Sequence, residues 1–302
     1  MVETPKIGIV TVLYNSASVL DDFFEALNKQ TYKNFVLYVI DNASPDNSLC
    51  KARELVKEVD FSTTIIPELE NWGIAKGNNI GIQRALAENC DYVLLANNDI
   101  VLEPTTIENL YYSMLAEGAT MGVPKIYYYG TNQIWAAGGN FVTWKAETIH
   151  FGSLQEDQGQ WDNPQVVNYS PTCFMLIDKQ VFERVGMMDE TYFVYYDDTD
   201  FVWRATMKGN EKLMYIPSSR LWHKESTSTG GNVSDFSTFY LHRNAIYFAR
   251  KHFNLPRRLI VYSYHIAHYF LKKIFLRTAH QRLIVRKAYR ESIKLYNNYQ
   301  RK

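Results

Sequence analysis

The sequence predicts an α/β protein with a doubly wound, mostly parallel central sheet. Two patterns carry that expectation. Short apolar, β-branched runs alternate with segments of helical periodicity through the first hundred residues. Several of those runs end in a polar turn: Tyr14-Asn15, Asp41-Asn42 and Asn97-Asn98-Asp99. Composition agrees, since 302 residues at 46% apolar and 21% charged can form a substantial core and are not globally disordered.

Ile7–Leu13 is apolar and β-branched, as a buried parallel strand requires. Ser18–Asn28 then places Val19, Leu20, Phe23, Phe24 and Leu27 at helical spacing. Phe35–Ile40 reads as a second strand, closed by the polar turn Asp41 to Asp46, and a helix follows through Leu49–Val59. Thr63–Ile66 is a third strand, Ile74–Glu88 a helix and Tyr92–Leu95 a fourth strand. Pro104 opens a helix to about Ala116, in the first turn where proline is tolerated. From Met121 to about Tyr169 the pattern is strand and loop, rich in glycine and aromatic residues. Cys173–Ile177 is a strand, Lys179–Val185 a short helix, Asp197–Lys208 a helix and Leu213–Ile216 a last strand. The Ser/Thr/Gly-rich stretch Ser226–Ser237 reads as a boundary or lid, followed by helices over Phe239–His252 and from Arg257 onward. Two units are therefore expected: a body over 1–230 and a helical extension over 231–302.

Charge is divided unevenly between them. Lys+Arg and Asp+Glu both total 32, but residues 251–302 hold 13 Lys/Arg and one acid, Glu291. An acidic body thus carries a basic tail. Cys50, Cys90 and Cys173 form neither a zinc pattern nor a disulfide framework, and read as three reduced core residues. The N-terminus lacks the basic leader of a signal peptide. The apolar stretch Leu259–Leu271 is shorter than the roughly 20 residues a spanning helix needs, so no transmembrane segment is expected.

In open α/β sheets ligands bind beyond the carboxyl ends of the strands. The three polar turns and the loop Glu70–Asn79 sit there as one rim, which points to a nucleotide-type site. Asp99 in Asn97-Asn98-Asp99 can hold a divalent cation that bridges phosphates, although such triplets also simply make turns. Gly73, Gly77 and Gly81 read either as helix-start and close-packing glycines or as backbone approaching a diphosphate beside Lys76. Neither a Walker loop nor a Rossmann fingerprint is present. Asp197-Asp198-Thr199-Asp200 suits a helix N-terminus, where the dipole favours acids. The preceding aromatic run Tyr192–Tyr196 offers a second reading, a carboxyl whose pKa is raised by apolar walls and which serves as a general base. His223 in Trp222-His223-Lys224 is either a structural histidine after a strand or a metal ligand. Spacing alone does not show that it meets Asp99.

Six segments in this order, IVTVLYN, VIDNASPDNS, ENWGIAKGNNIGI, YVLLANNDI, YFVYYDDTDFVWRATMKG and WHKESTS, resemble the family 2 glycosyltransferases, especially their bacterial rhamnosyltransferase-like branch. The resemblance spans about residues 6–230. It implies a glycosyltransferase-A fold, a nucleotide-diphosphate sugar donor (UDP- or dTDP-sugar, rhamnose among the candidates), Mg²⁺ or Mn²⁺, and inversion at the anomeric carbon. Carried over by position, Asp41 bonds the pyrimidine base, with Tyr14 and Asn15 lining that pocket, and Asn71 and Asn78 line the diphosphate and sugar side. Asp99 matches the metal ligand of the family's D-x-D motif, with Asn97 at its first position in place of an acid. Asp198 matches the catalytic base, and His223 the histidine that completes the metal site.

The tail mixes Leu259, Ile260, Ile266 and other apolar residues with Arg257, Arg258, Lys272, Lys273 and further basic residues over 256–290. Such a helix can lie on an anionic membrane surface, which fits a glycan or lipid-linked saccharide acceptor and a cytoplasmic enzyme peripheral on the inner face of the membrane. Docking on the body, or a homodimer contact, are the other readings of that face. Nucleic acid fits poorly, because the aromatic residues form a helical face and not a base-stacking platform. Two rival functions share the features of the body: a nucleotidyltransferase acting on sugar phosphates, and a non-catalytic carbohydrate-binding or scaffold protein.

Overall fold

The computed structural model describes residues 4–224, 234–275 and 279–300. Its first half runs β1 (Ile7–Leu13), α1 (Leu20–Asn28), β2 (Phe35–Asp41), α2 (Ser48–Leu55), β3 (Ser62–Pro67), α3 (Ile74–Ala87), β4 (Tyr92–Ala96), β5 (Ile100–Leu102) and α4 (Thr106–Ala116). The strand-and-loop region holds β6 (Met121–Tyr128), β7 (Ile134–Ala136), β8 (Gly139–Val142), β9 (Glu147–His150) and β10 (Gln165–Val167). Then come β11 (Phe174–Asp178), α5 (Lys179–Val185), α6 (Asp197–Val202), β12 (Leu213–His223), α7 (Asp235–His252), α8 (Leu255–Phe275) and α9 (Ala279–Tyr299).

Ten strands form one sheet, in the path order β10-β12-β6-β11-β4-β1-β2-β3, with β5 on β12 and β7 on β6. β1 pairs in parallel with β2 and β4, β2 with β3, and β6 with β12. Within this largely parallel sheet β11 runs antiparallel to both its neighbours, β4 and β6. Alternate residues feed the two faces, as the period of a strand requires. Ile7, Ile9 and Leu13 join Phe23, Leu27, Ile107 and Leu110 on one side, whereas Val10 joins Ala75, Ile82, Ala85 and Phe201 on the other. Both faces are covered, which is why the strand sequences are continuously apolar.

Two expectations change here, and the α3 glycines are decided between their two readings. α3 lies against the sheet through its glycines: a Cβ on Gly81 would stand 2.3 Å from Val10 Cγ1, and one on Gly77 would stand 2.8 Å from Val12 Cγ1. These are close-packing glycines, and Lys76 rests its ammonium over the Trp72 ring, 3.1 Å from the centroid. The helix expected over Asp197–Lys208 is α-helical only to Val202 and widens to a π-helical turn over Trp203–Lys208, where the Thr206 hydroxyl bonds back to Val202 O. Cys90 and Cys173 are buried as expected, but Cys50 is exposed on α2.

The boundary or lid read over Ser226–Ser237 lies outside the described residues up to 233; the rest leads into α7, with Ser234 as its N-cap. α7 contributes Ala245, Tyr247, Phe248 and Ala249 to a third apolar cluster with Tyr192, Tyr196 and Trp203 of the body. His265 of α8 lies 3.0 Å from Lys145 O, and Trp144 meets Tyr264 edge to face at 5.1 Å. Val285 and Ala288 of α9 are buried. The helices after α6 are therefore docked on the body. On α8 the outward face leaves Leu255, Leu259, Ile260 and Ile266 exposed. Among the described residues no helix is long and apolar enough to cross a membrane.

Candidate active site

A cavity of about 600 Å³ opens at the carboxyl ends of β1 and β4. Its wall includes Val12 near the end of β1, Tyr14 and Ser16 after it, Asn42 after β2, Asn71 and Gly73 before α3, and Asn97, Asn98 and Asp99 after β4. Phe193 and Val194 before α6, and Ser234 and Phe236 at the start of α7, complete it. The rim expected from sequence is thus a real concavity.

β12 explains how Asp99 and His223 meet. The strand continues past Ile216 through a register shift and ends at His223. Its last residues pair antiparallel with β5, His223 opposite Ile100. Asp99 precedes Ile100, so the imidazole Nε2 comes within 3.3 Å of Asp99 Oδ1. The Asn97 amide nitrogen lies 3.5 Å from the same Nε2. Burial would raise the Asp99 carboxyl, but the His223 hydrogen bond and charge, with the Asn97 amide, outweigh it and hold Asp99 below the usual carboxylate range. An ionised carboxylate and an imidazole side by side could supply two ligands to a divalent cation. Among the described residues no group of three or more His, Cys, Asp or Glu converges as a closed protein cage.

Asp198 lies on α6. Its Oδ2 accepts the Tyr169 hydroxyl at 2.7 Å, and its Oδ1 accepts Thr199 N at 2.5 Å and Thr199 Oγ1 at 3.1 Å. Burial, then the charge and hydrogen bond of Asp198, push the Tyr169 phenol well above its ordinary value, so it stays protonated and donates. The two acidic centres are neighbours: burial pushes the Cys173 thiol up, and the charges of Asp99 and Asp198 both push it further. A run of rings joins them. His223 stacks on Trp135 at 4.8 Å, Trp135 meets His150 at 4.7 Å, and His150 stacks on Tyr169 at 6.0 Å.

The raised carboxyl is that of Asp197. Burial, then the neighbouring charge of Asp198, pushes it up to about 8. Asp200 goes the other way. Burial opposes its ionisation, yet His252 at 2.6 Å, Lys251 at 2.7 Å and Arg204 at 2.8 Å hold it far below the usual range. Burial lowers His252 below its ordinary value, although the hydrogen bond and charge of Asp200 oppose it.

The remaining expected residues are placed as follows. Asp41 ends β2 with Oδ2 accepting Ser44 N at 3.3 Å, while its Oδ1 is buried without a partner. The Oδ1 of Asn42 is likewise buried and unpartnered, its amide nitrogen being given to Gly73 O at 3.0 Å. Asn15 holds a left-handed φ of 56° and is exposed, beside Tyr14 of the cavity wall. The Asn71 Oδ1 accepts Gly73 N at 2.9 Å and shapes the entry to α3. Asn78 sits one turn into α3 with its amide nitrogen 3.6 Å from Met188 Sδ, and it is not part of the cavity wall; nor are Asn15, Asp41, Asp198 and His223. Asn98, not singled out from sequence, ties β4 to β1 through Val12 O at 2.8 Å. Tyr169 was also missed, because a tyrosine in an irregular strand-and-loop region carries no periodic or motif signal.

The loop into α6 is strained. Tyr195 (φ 60°) and Tyr196 (φ 67°) are consecutive left-handed residues without being glycine. Each such conformation costs on the order of 1–3 kcal/mol and persists only where the surroundings impose it.

An open α/β sheet with a cavity at its carboxyl edge, where Asp99 lines the wall beside His223, is the architecture of the glycosyltransferase-A fold. The model of the family described as "Glycosyl transferase family 2" matches residues 8–186. The chain is 30% identical over 259 residues to dTDP-rhamnosyl transferase RfbF of Shigella flexneri, covering 82% of this chain and 80% of that one. It is 28% identical over 240 residues to glycosyltransferase GlyG of Streptococcus pneumoniae serotype 4, covering 76% and 75%. Among solved structures, GalNAc-T7 with UDP, GalNAc and Mn²⁺ superposes with a TM-score of 0.65 at 15% identity, over 82% of this chain and 48% of that one. The chain belongs to glycosyltransferase family 2, enzymes that use nucleotide-sugar donors.

Proposed function

We propose that this enzyme is an inverting, metal-dependent glycosyltransferase. It moves a sugar from a UDP- or dTDP-sugar to a hydroxyl of a growing, lipid-linked cell-surface glycan. The observation that carries this reading is the Asp99–His223 pair, 3.3 Å apart where Asp99 lines the cavity. A divalent cation held there, Mg²⁺ or Mn²⁺, would neutralise the charge growing on the departing diphosphate. The buried, unpartnered Oδ1 atoms of Asp41 and Asn42 call for donors, and the N–H of a pyrimidine base supplies one. Tyr14, Asn71 and Asn97 line the cavity, the first assigned to the base and the other two to the diphosphate.

Asp198 takes the proton of the acceptor hydroxyl as its oxygen attacks the anomeric carbon and the bond to the β-phosphate oxygen breaks. One carboxylate suffices for such a direct displacement, since only the acceptor side needs a base. Tyr169 and Thr199 hold that carboxylate: Thr199 N and Oγ1 occupy Oδ1, while Oδ2, which accepts Tyr169, keeps a lone pair for the acceptor. Rhamnose is favoured among the sugars by the name of the Shigella relative. The exposed Leu259, Ile260 and Ile266 beside Arg257 and Arg258 support contact of α8 with an anionic membrane surface on the cytoplasmic side, where a lipid-linked acceptor resides.

The test is a panel of dTDP-rhamnose, UDP-glucose, UDP-galactose and UDP-N-acetylglucosamine, each with and without Mn²⁺, with products resolved by mass spectrometry. Mn²⁺-dependent release of nucleoside diphosphate with transfer or hydrolysis of the sugar is expected. Release of pyrophosphate would mean a nucleotidyltransferase instead, and no turnover of any donor would favour a binding or scaffold role.

A further inference from the structure

We infer that Asn244, on α7, is a positioning residue for Asp198, and that α7 thereby belongs to the catalytic apparatus. The catalytic half of this inference rests on Asp198 acting as the base. The chain enters α6 through Tyr195 and Tyr196, both left-handed, and Tyr196 immediately precedes Asp197-Asp198. That entry sets the direction in which the Asp198 side chain leaves the helix. The N-cap residue Tyr196 makes no capping bond, and its hydroxyl is given away to Ala146 O at 2.7 Å.

The grip comes from α7. Asn244 is fully buried, and its Nδ2 donates one hydrogen to Val194 O at 2.9 Å and the other to Tyr195 O at 2.8 Å. Those two carbonyls flank the first strained residue. Arg243 Nε donates to Asn244 Oδ1 at 2.7 Å, which fixes the amide with both hydrogens toward the loop, and Arg243 also bonds Thr191 O at 3.1 Å. Both hydrogens and the oxygen of the Asn244 amide are thus engaged within the protein. Farther along the same helix, Lys251 and His252 hold Asp200. α7 therefore holds α6 at its entry and again at Asp200, with Asp198 between the two grips.

Leucine at 244 keeps the volume and removes both donors, leaving two buried carbonyls unpaired and the left-handed pair unsupported. Glycine at 195 adopts a positive φ without strain, so it lowers the demand on the missing amide. The experiment compares the wild-type chain with Asn244→Leu, Tyr195→Gly and the double variant. Hydrogen exchange is read over residues 194–199 without ligand. kcat and donor KM are read with the nucleotide sugar of the above panel that the wild type turns over. The inference expects exchange in that segment to accelerate at least tenfold in Asn244→Leu. It expects kcat to fall ten- to a hundredfold with donor KM within threefold, and Tyr195→Gly to restore most of kcat in the double variant. Unchanged exchange, or a loss of kcat that Tyr195→Gly does not relieve, overturns it. The two readings separate: an Asp198→Asn chain that keeps its kcat ends the base assignment alone, whereas unchanged exchange in Asn244→Leu ends the Asn244 inference alone.

Discussion

The Tyr169 hydroxyl donates to Asp198 Oδ2 across 2.7 Å, so the carboxylate assigned as base is oriented by a residue from a different part of the fold. A neutral donor bound to a charged acceptor is worth about 1.5–3 kcal/mol. Tyr169→Phe removes that donor and leaves the ring stacked on His150. Initial rates should show kcat reduced about ten- to a hundredfold and donor KM nearly unchanged. Tyr215→Phe is the control. It deletes an equally buried hydroxyl, bonded to Trp161 O at 2.8 Å, and should leave kcat within about twofold, since that bond does not touch Asp198.

Asp197 and Asp198 are adjacent and have opposite expectations. Burial and the charge of Asp198 raise Asp197 to about 8, so at neutral pH it carries its proton. Unfolded, the same group titrates near about 3.9. Its raised folded value gives a contribution present in full below the unfolded pKa and lost as pH rises through about 8. Asp197→Asn has no such pH dependence. Thermal melts should therefore show the variant more stable than wild type at pH 8, with the difference shrinking toward pH 4. Its kcat at pH 7 should stay within about fivefold of wild type, whereas Asp198→Asn should lose at least about 100-fold.

Lys125 is fully buried on β6 and pairs with Asp157 at 2.8 Å and with Asp162, both in the loop between β9 and β10. Tyr127 adds a hydrogen bond to Asp157 at 2.6 Å. Breaking a buried pair by removing one partner costs about 3–5 kcal/mol, less where the survivor reaches water, as Asp162 does. Lys125→Met should lower urea-unfolding stability by about 2–4 kcal/mol. Limited proteolysis should show earlier cleavage between 152 and 165 than in wild type.

Much of the fold was legible because its signals are local. The strands β1, β2 and β4 each read as apolar runs bounded by polar turns, and α1 showed its buried face through Leu20, Phe23, Phe24 and Leu27. What was not legible depends on pairing between distant segments. Nothing in Leu213–Ile216 says that the strand resumes after a shift and carries His223 to Ile100; β5 on its other side decides that. The glycines Gly77 and Gly81 of α3 were ambiguous for the same reason, since only the approach of Val12 and Val10 shows that they serve packing. Asn78 shares a helix with that motif but faces Met188, because one helical turn carries its side chain away from the cavity. The aromatic run before α6 did signal a raised carboxyl, yet only the three-dimensional surroundings identify it as Asp197.

The central claim is that Asp99 and His223 jointly grip a divalent cation on a nucleotide diphosphate. Calorimetric titration of UDP and of dTDP into the full chain, with and without Mn²⁺, tests it most directly, repeated on Asp99→Ala and His223→Ala. Mn²⁺ should tighten binding of at least one nucleotide by about tenfold or more in wild type, and either substitution should abolish the tightening. Nucleotide binding indifferent to Mn²⁺, or a Mn²⁺ effect surviving in both variants, would contradict it.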